Sequence, residues 1–564
     1  MAKLSYTSTP RSAPYIYKTF VDTLRELAED EPDRTAFVFY DLQHVRSSLT
    51  RKELLDKATE SAKKFVKMGV VKGTHVGVCM NNSFEMLILQ TGLMMAGGIA
   101  FYFHTNLKDG SDVINMLNAL KGELLIMDAS PGDVNWNILD QIWPTRQERC
   151  SIIPSLKTIM FNGNWDPEIQ STSRKNVAAF FAEDIPEGVT FPQIQPEDTL
   201  VYLCTSGSTG VPKVVMYTHY STMNWTKQTN ARLGITGHSV WFCERTFSWA
   251  VGYPRTYLTD GTTRVFVDTR MTVAGKDVGF VADIIEKESC DAVTLPGYMA
   301  VDLTGRPELG PKFKNVKMIQ LLGERVLKAS VDKLQDILKC NQIMSYYGTT
   351  EHGAISSYIT SVNSGDFEDG IVGEPLDGLE MKVVDDSGLV VPVGTSGELL
   401  TRATWRFAGY WGLTDQPSGG AVDALGWFHT GDIGHMRSDG NFVIDGRLRE
   451  MVSTGSMKFF PWSTEKILKT LPGAATAFAV GVPDKRLKEV ICACVVPKPE
   501  SGLTAEDLEK FCSEKFVHES TGPVVGLKPK YHVLLDSVPL LASGKVNRRK
   551  IAEIAKEKLG LSAA

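Results

Sequence analysis

Residues 204–219, CTSGSTGVPKVVMYTH, place two hydroxyl–glycine pairs and one lysine in a single turn and then run into apolar sequence. Glycine lets backbone amides come close to an anion, and neighbouring hydroxyls add donors. Thr205, Ser206, Gly207, Ser208, Thr209, Gly210 and Lys213 therefore form a candidate phosphate-binding turn. Two familiar versions of such a turn do not fit. A P-loop ends in Gly-Lys-Ser/Thr, whereas Val211 and Pro212 separate Gly210 from Lys213, and Val214 follows the lysine. The dinucleotide fingerprint fails for want of a third glycine. Alone, the turn is also compatible with a plain Gly/Ser loop between strands.

On both sides of this turn, apolar runs alternate with helical patterns. Thr50 opens a helix, with Glu53 three residues later as in a capping box, and Gly69 ends it. THVGVCM reads as a strand, FEMLILQTGLMMAG as a helix and IAFYF as the next strand. The alternation returns at KVVMYTH, at TTRVFVD, and at DAVTLPG after the helical DVGFVADIIEKES. Strands apolar throughout and separated by helices predict an α/β fold with mostly parallel sheets covered on both faces. After about Thr360 the texture changes to short strands and turns such as Ser387-Gly388 and Asp439-Gly440, which predicts a β-rich subdomain. Beyond Arg449 a compact α+β unit is expected, dividing the chain into residues 1–448 and 449–564.

Composition excludes several classes. The 564 residues carry a net charge of −6, which disfavours a nucleic-acid partner. The nine cysteines are scattered, and only Cys492 and Cys494 lie close together, on one face of a buried strand, so neither a disulfide framework nor a metal site is expected. Residues 86–107 hold no charge, but Gln90, Thr91, Gly97, Gly98 and His104 interrupt them, which suits a buried helix, turn and strand better than a membrane span. The start lacks the apolar stretch of a secretory signal, and KLGLSAA lacks the peroxisomal tripeptide. A cytoplasmic protein is expected, with mitochondria left open by the basic start.

Four further stretches stand in order after the turn: YYGTTEHG at 346–353; GELL at 397–400 with GYW at 409–411; WFHTGDIG at 427–434 with DGRLRE at 445–450; and LASGKVNRR at 541–549. Together with TSGSTGVPK they resemble the adenylate-forming superfamily of acyl-CoA synthetases, peptide-synthetase adenylation domains and beetle-type luciferases, over residues from about 30 to 555. The resemblance implies that a carboxylate joins the α-phosphate of ATP, pyrophosphate leaves, and the acyl group passes to a thiol such as CoA. It implies that Glu351 holds Mg²⁺, an ion often kept by one or two carboxylates plus phosphates. Thr350 would touch the α-phosphate, Tyr347 and Gly348 would lie along the nucleotide, and Asp432 would accept both ribose hydroxyls, with Arg447 supporting the ribose from the far side. Lys545 would bridge carboxylate and α-phosphate as the catalytic ammonium. A mobile small domain would turn about Arg449, bringing the region of Ser456 and Lys458 to the CoA thiol.

The sequence also departs from the family pattern. Past Arg449 it reads VSTGSMKFFPWSTEKI, with Ser453 and Ser463 where lysine and glutamate are usual. Ser248 follows Phe247 where members that bind amino acids carry aspartate, which disfavours an α-amino acid. Phe247, Ser248, Trp249, Gly323, Tyr346 and Gly348 are the candidate acid pocket, with Gly348 leaving open a place that acetate-specific members fill with a ring. A fatty or aryl acid longer than acetate is expected. A luciferase-like oxygenase and a catalytically silent binding homologue remain alternatives.

Overall fold

A computed structural model describes residues 3–105, 107, 109–144, 149–164, 174–205, 213–273, 278–323, 325–338, 342–361, 366–413, 418–454, 457–516, 528–540 and 546–561. Local chemistry sets its elements as the sequence suggests. Thr50 caps helix Arg51–Lys67 reciprocally with Glu53. The uncharged stretch is helix Phe84–Met95 followed by strand Ile99–Tyr102. Gly92 lets that helix meet its neighbour, since a Cβ there would lie 2.6 Å from the Ser61 Cβ. Among the described residues no helix is long and apolar enough to cross a membrane.

Two large sheets form the body. One has fourteen strands among the described residues, and its parallel part runs Gln342–Thr349, Met318–Leu322, Ala292–Pro296, Val240–Cys243, Thr263–Val267, Thr35–Tyr40. The other has eight, with His75–Cys79, Ile99–Tyr102, Leu124–Asp128 and Thr199–Cys204 in its parallel part. Alternation along the strands shows why both need helices on each face. Phe37 and Phe39 join one core together with Val76, Val78, Leu124 and Ile126, so a helical layer lies between the sheets. Val38 and Tyr40 face a second core with the helices Val278–Lys287 and Lys328–Leu338. Leu125 and Met127 face a third, with helices Ser111–Ala119 and Val134–Ile142. The result is five alternating layers of helix and sheet.

One detail differs from expectation. Val214–Thr218 continues the alternation in sequence but runs antiparallel to Thr199–Cys204. The connection of nine residues is too short for the crossover a parallel neighbour requires. The β-rich part continues the large sheet: Gly353–Ser361 pairs antiparallel with Gln342–Thr349 and leads through Ile371–Pro375 into the strands up to Arg447. Tyr6–Ser8 closes its far edge against Glu380–Val384.

From Val452 onward the chain builds a separate five-stranded sheet. Its hairpin Ala474–Asp484/Lys488–Pro497 sets Val480, Cys492 and Cys494 against helix Arg548–Lys558, and Ala477 and Val495 against helix Ala505–Lys515. The Cys492 and Cys494 sulfurs sit 3.8 Å apart on one buried face. Glu465 ties the unit together by taking Arg548 on both oxygens and the Ala479 amide. At the junction, a side chain on Gly446 would reach within 2.3 Å of the Phe460 ring, so only glycine admits this approach.

Candidate active site

Three of the motifs meet where strand Gln342–Thr349 ends. The following turn is held from outside. The Tyr217 hydroxyl donates to the Thr350 carbonyl, and the Phe407 amide donates to the Glu351 carbonyl at 3.0 Å. Glu351 Oε1 accepts the Tyr410 hydroxyl at 2.8 Å, and the Lys213 ammonium lies 4.7 Å from the centre of the Tyr410 ring. Burial, the Glu351 charge and this hydrogen bond all push the Tyr410 phenol upward, so it stays a donor. The turn thus presents a carboxylate with one oxygen anchored.

Beside it, strands Phe428–Met436 and Phe442–Arg447 place Asp432 directly opposite Arg447. Arg447 Nε is 2.9 Å from Asp432 Oδ1, and the Tyr347 hydroxyl donates to Oδ2 at 2.5 Å. Burial pushes the Asp432 carboxyl up, against the pull of Arg447 and of the Tyr347 hydroxyl. Fifteen residues of separation thus become one ladder pair. The two side chains are neighbours.

The phosphate turn is anchored at its base: the Thr205 amide donates to the Lys213 carbonyl at 2.9 Å, and Cys204 pairs with Val214. Ser206, Gly207, Ser208, Thr209 and Gly210 lie outside the described residues, as do Ser456 and Lys545. Lys458 is exposed on strand Met457–Phe459, 3.7 Å from Asp386, and Arg449 sits in the short 3₁₀ turn Leu448–Glu450.

This arrangement agrees with the family comparison, in which residues 24–411 match the AMP-binding enzyme model and residues 463–545 match the AMP-binding enzyme C-terminal domain. The chain belongs to the AMP-binding enzymes. Among curated relatives of this AMP-binding enzyme, a mitochondrial medium-chain acyl-CoA ligase of Danio rerio is 25 % identical over 582 residues, covering 99 % of this chain and 91 % of the relative. A fatty acid–[acyl-carrier-protein] ligase of Streptomyces coeruleorubidus is 27 % identical over 408 residues, covering 69 % and 73 %. The fold is that of an ATP-bound enzyme from Rhodopseudomonas palustris, MatB, at a TM-score of 0.79 and 18 % identity over 96 % of this chain and 100 % of the other.

The residues expected to line the acid pocket of the AMP-binding enzyme divide. Ser248 and Trp249 sit in a loop closed by Gly252, where a Cβ would lie 1.7 Å from the Thr246 carbonyl oxygen. The Ser248 hydroxyl is 2.9 Å from the Thr246 hydroxyl, and the Trp249 ring is 6.2 Å from His104. Gly323, at φ +90°, follows strand Met318–Leu322 with open space around its Cα. Phe247 is fully buried, 4.9 Å from Phe266, and backs the loop rather than lining open space. Gly348 sits within the strand pair. A Cβ there would meet the Gly353 carbonyl oxygen at 2.4 Å, so the strand pair itself favours glycine at this position.

Sequence reading missed three side chains that shape the site. Tyr410 lies in the quoted GYW, where nothing marks its ring as a carboxylate anchor. Tyr217 is buried by the alternation of Val215 and Tyr217, a signal that gives burial but not its bond to Thr350. Trp225 lies on helix His219–Arg232 beneath Gly353, whose Cβ would come within 2.9 Å of the indole.

Proposed function

We propose that this protein joins a non-amino-acid carboxylic acid, fatty or aryl, to the α-phosphate of ATP and then hands the acyl group to the thiol of CoA. In the first step a carboxylate oxygen bonds to the α-phosphorus and pyrophosphate leaves. In the second the CoA sulfur bonds to the acyl carbon and AMP leaves. The observation that carries the reading is the cluster Tyr347–Asp432–Arg447 beside the anchored turn of Thr350 and Glu351. Asp432, acceptor-only when ionised and fixed from two sides, suits two ribose hydroxyls. Thr350 meets the α-phosphate, the turn from Thr205 to Gly210 with Lys213 takes the outer phosphates, and Lys545 bridges the reacting groups. Magnesium fits Glu351, whose Oε1 is held by Tyr410, and when bound it would draw charge from the phosphate oxygens. Ser248, which offers no counter-charge to an ammonium, supports a substrate without an α-amino group. The relatives' names support an acyl thioester as product.

A panel of carboxylic acids with ATP, Mg²⁺ and CoA, read separately for pyrophosphate and thioester, tests the reading. Both products are expected with at least one acid, and pyrophosphate with none would sink it. The boundary at Arg449 yields a second expectation. Arg449→Pro fixes φ in the turn about which the small domain rotates. Acyl-adenylate formation should persist while thioester formation falls at least about tenfold, because only the second step needs the rotated arrangement. Equal losses in both steps would remove the hinge from Arg449.

A further inference from the structure

Asn81 and Asn82 stand just past strand His75–Cys79 of the eight-stranded sheet, and they bond in different directions. Asn81 turns back onto its own sheet. Its amide and its side-chain nitrogen donate to Asp128 Oδ2 at 2.7 and 3.0 Å, and Asn162 donates to Oδ1 at 2.8 Å. Asn82, fully buried, reaches across to the fourteen-stranded sheet. Its amide donates to the Thr269 hydroxyl at 3.0 Å, just past strand Thr263–Val267. Its side-chain nitrogen donates to the Arg245 carbonyl at 3.2 Å, and its Oδ1 accepts the Phe247 amide at 2.9 Å. Two consecutive residues thus join the two sheets at the ends of their strands.

The segment that Asn82 grips follows strand Val240–Cys243 and carries Ser248 and Trp249. It turns back on itself, the Trp249 amide donating to the Thr246 carbonyl at 3.1 Å and the Tyr253 amide to the Trp249 carbonyl at 2.7 Å. Arg264, from its own sheet, donates to the carbonyls of Cys243, Arg245 and Gly252. The Arg245 carbonyl therefore takes two donors, one from each sheet. Buried polar groups matched in this way admit one placement of the loop, because any other leaves them unpartnered. The phosphate turn belongs to the other sheet, where Cys204 and Val214 form its base. The distance between an acid on the loop and a nucleotide on the turn is set by what ties the sheets together there.

We propose that Asn82 is a positioning residue for adenylation, holding the loop of Ser248 and Trp249 at the separation from the phosphate turn that lets a carboxylate oxygen meet the α-phosphorus. The inference rests on the acid-activating reading above and adds to it a residue that acts through the loop. A misplacement of about 1 Å at reacting atoms costs on the order of 100-fold. The requirement ends once the mixed anhydride exists, since acyl group and phosphate are then one molecule.

Asn82→Leu removes both side-chain bonds at similar volume. Its kcat for pyrophosphate release with hexanoate, octanoate or benzoate should fall about 100-fold, while the ATP dissociation constant stays within about twofold. Given the preformed acyl-adenylate of the best acid, together with CoA, the same variant should form thioester at close to the parent rate. General damage to the fold would not permit that recovery. Thr269→Val takes away the acceptor of the Asn82 amide and should slow pyrophosphate release about fivefold, which carries the test if Asn82→Leu does not fold. Asn176→Leu is the control. It removes an equally buried amide that ties Gly163 and caps helix Val177–Ala182, beside the edge of the eight-stranded sheet away from the phosphate turn. Its melting temperature should fall and its kcat should not. A parent kcat in Asn82→Leu, a thioester rate reduced as far as pyrophosphate release, or an equal kcat loss in Asn176→Leu would overturn the role of Asn82 and leave the adenylation reading standing. A parent that releases no pyrophosphate with any acid would overturn that reading itself.

Discussion

Alanine at position 545 is expected to leave ATP binding nearly intact while slowing pyrophosphate release roughly 1,000-fold. The loss corresponds to about 4 kcal/mol of transition-state stabilisation. An ammonium is a compact charge, and in a closed site it counts most where negative charge gathers on the phosphoryl oxygens. On the function proposed above, the ground-state nucleotide would keep its other contacts, Asp432 and the Gly/Ser turn among them, so affinity should change little. Hydrogen bonds tie the chain on either side of Lys545. Leu540 and Val546 form a β-bridge, the Asn547 amide donates to the Pro539 carbonyl at 2.8 Å, and the Asn547 side chain caps helix Arg548–Lys558. Single-turnover pyrophosphate release and equilibrium ATP binding, measured on the same variant, decide the matter. Unchanged pyrophosphate release would take Lys545 out of the chemistry.

Acid should weaken the fold steeply between pH 6.5 and about 4, through two histidines. His219 and His352 are 2 % and 1 % exposed. Burial pushes each ring from 6.5 down to about 4; Asp198 and Asp22 oppose this at His219, and Arg406 reinforces it at His352. An unfolded chain protonates both rings near pH 6.5, so below that pH it binds more protons than the folded one. The contribution is intact above pH 6.5 and is lost as the pH falls toward 4. Each ring accounts for about 3 kcal/mol, and the pair for a large part of an ordinary domain's stability. His219→Asn keeps an acceptor for the Phe20 amide, which His219 Nδ1 takes at 3.2 Å. His352→Phe removes two ring nitrogens that have no partner. Denaturant unfolding near pH 6.5 and near pH 4 should show each variant losing about 3 kcal/mol less than the parent. Identical losses in parent and variants would contradict the assignment.

Those histidines show where sequence reading stops. Their types are plain in the chain, but their burial is a tertiary fact. Features set by neighbours in the chain were legible. Thr50 and Glu53 cap their helix as read, and the uncharged stretch from Met86 is a buried helix, turn and strand. Strand direction was not legible at Val214–Thr218, because an apolar run looks the same either way and only the short connection decides it. Tyr6–Ser8 gave no signal, since three residues carry no period. For the candidate site, the motifs supplied Thr350, Glu351, Asp432 and Arg447, and the structure brings those four close to Tyr347. It also shows what motifs do not encode: Tyr410 anchoring Glu351 and Tyr217 holding Thr350. Gly348 was read only for its small size, and the structure adds a backbone reason for glycine there, the opposing Gly353 carbonyl oxygen.

The pairing of Tyr6–Ser8 with Glu380–Val384 has a consequence for biosynthesis. On the ribosome the first strand emerges long before its partner exists, and it must wait exposed while most of the body assembles without it. The far edge of the great sheet is therefore sealed late, by a strand made well before the one it pairs with.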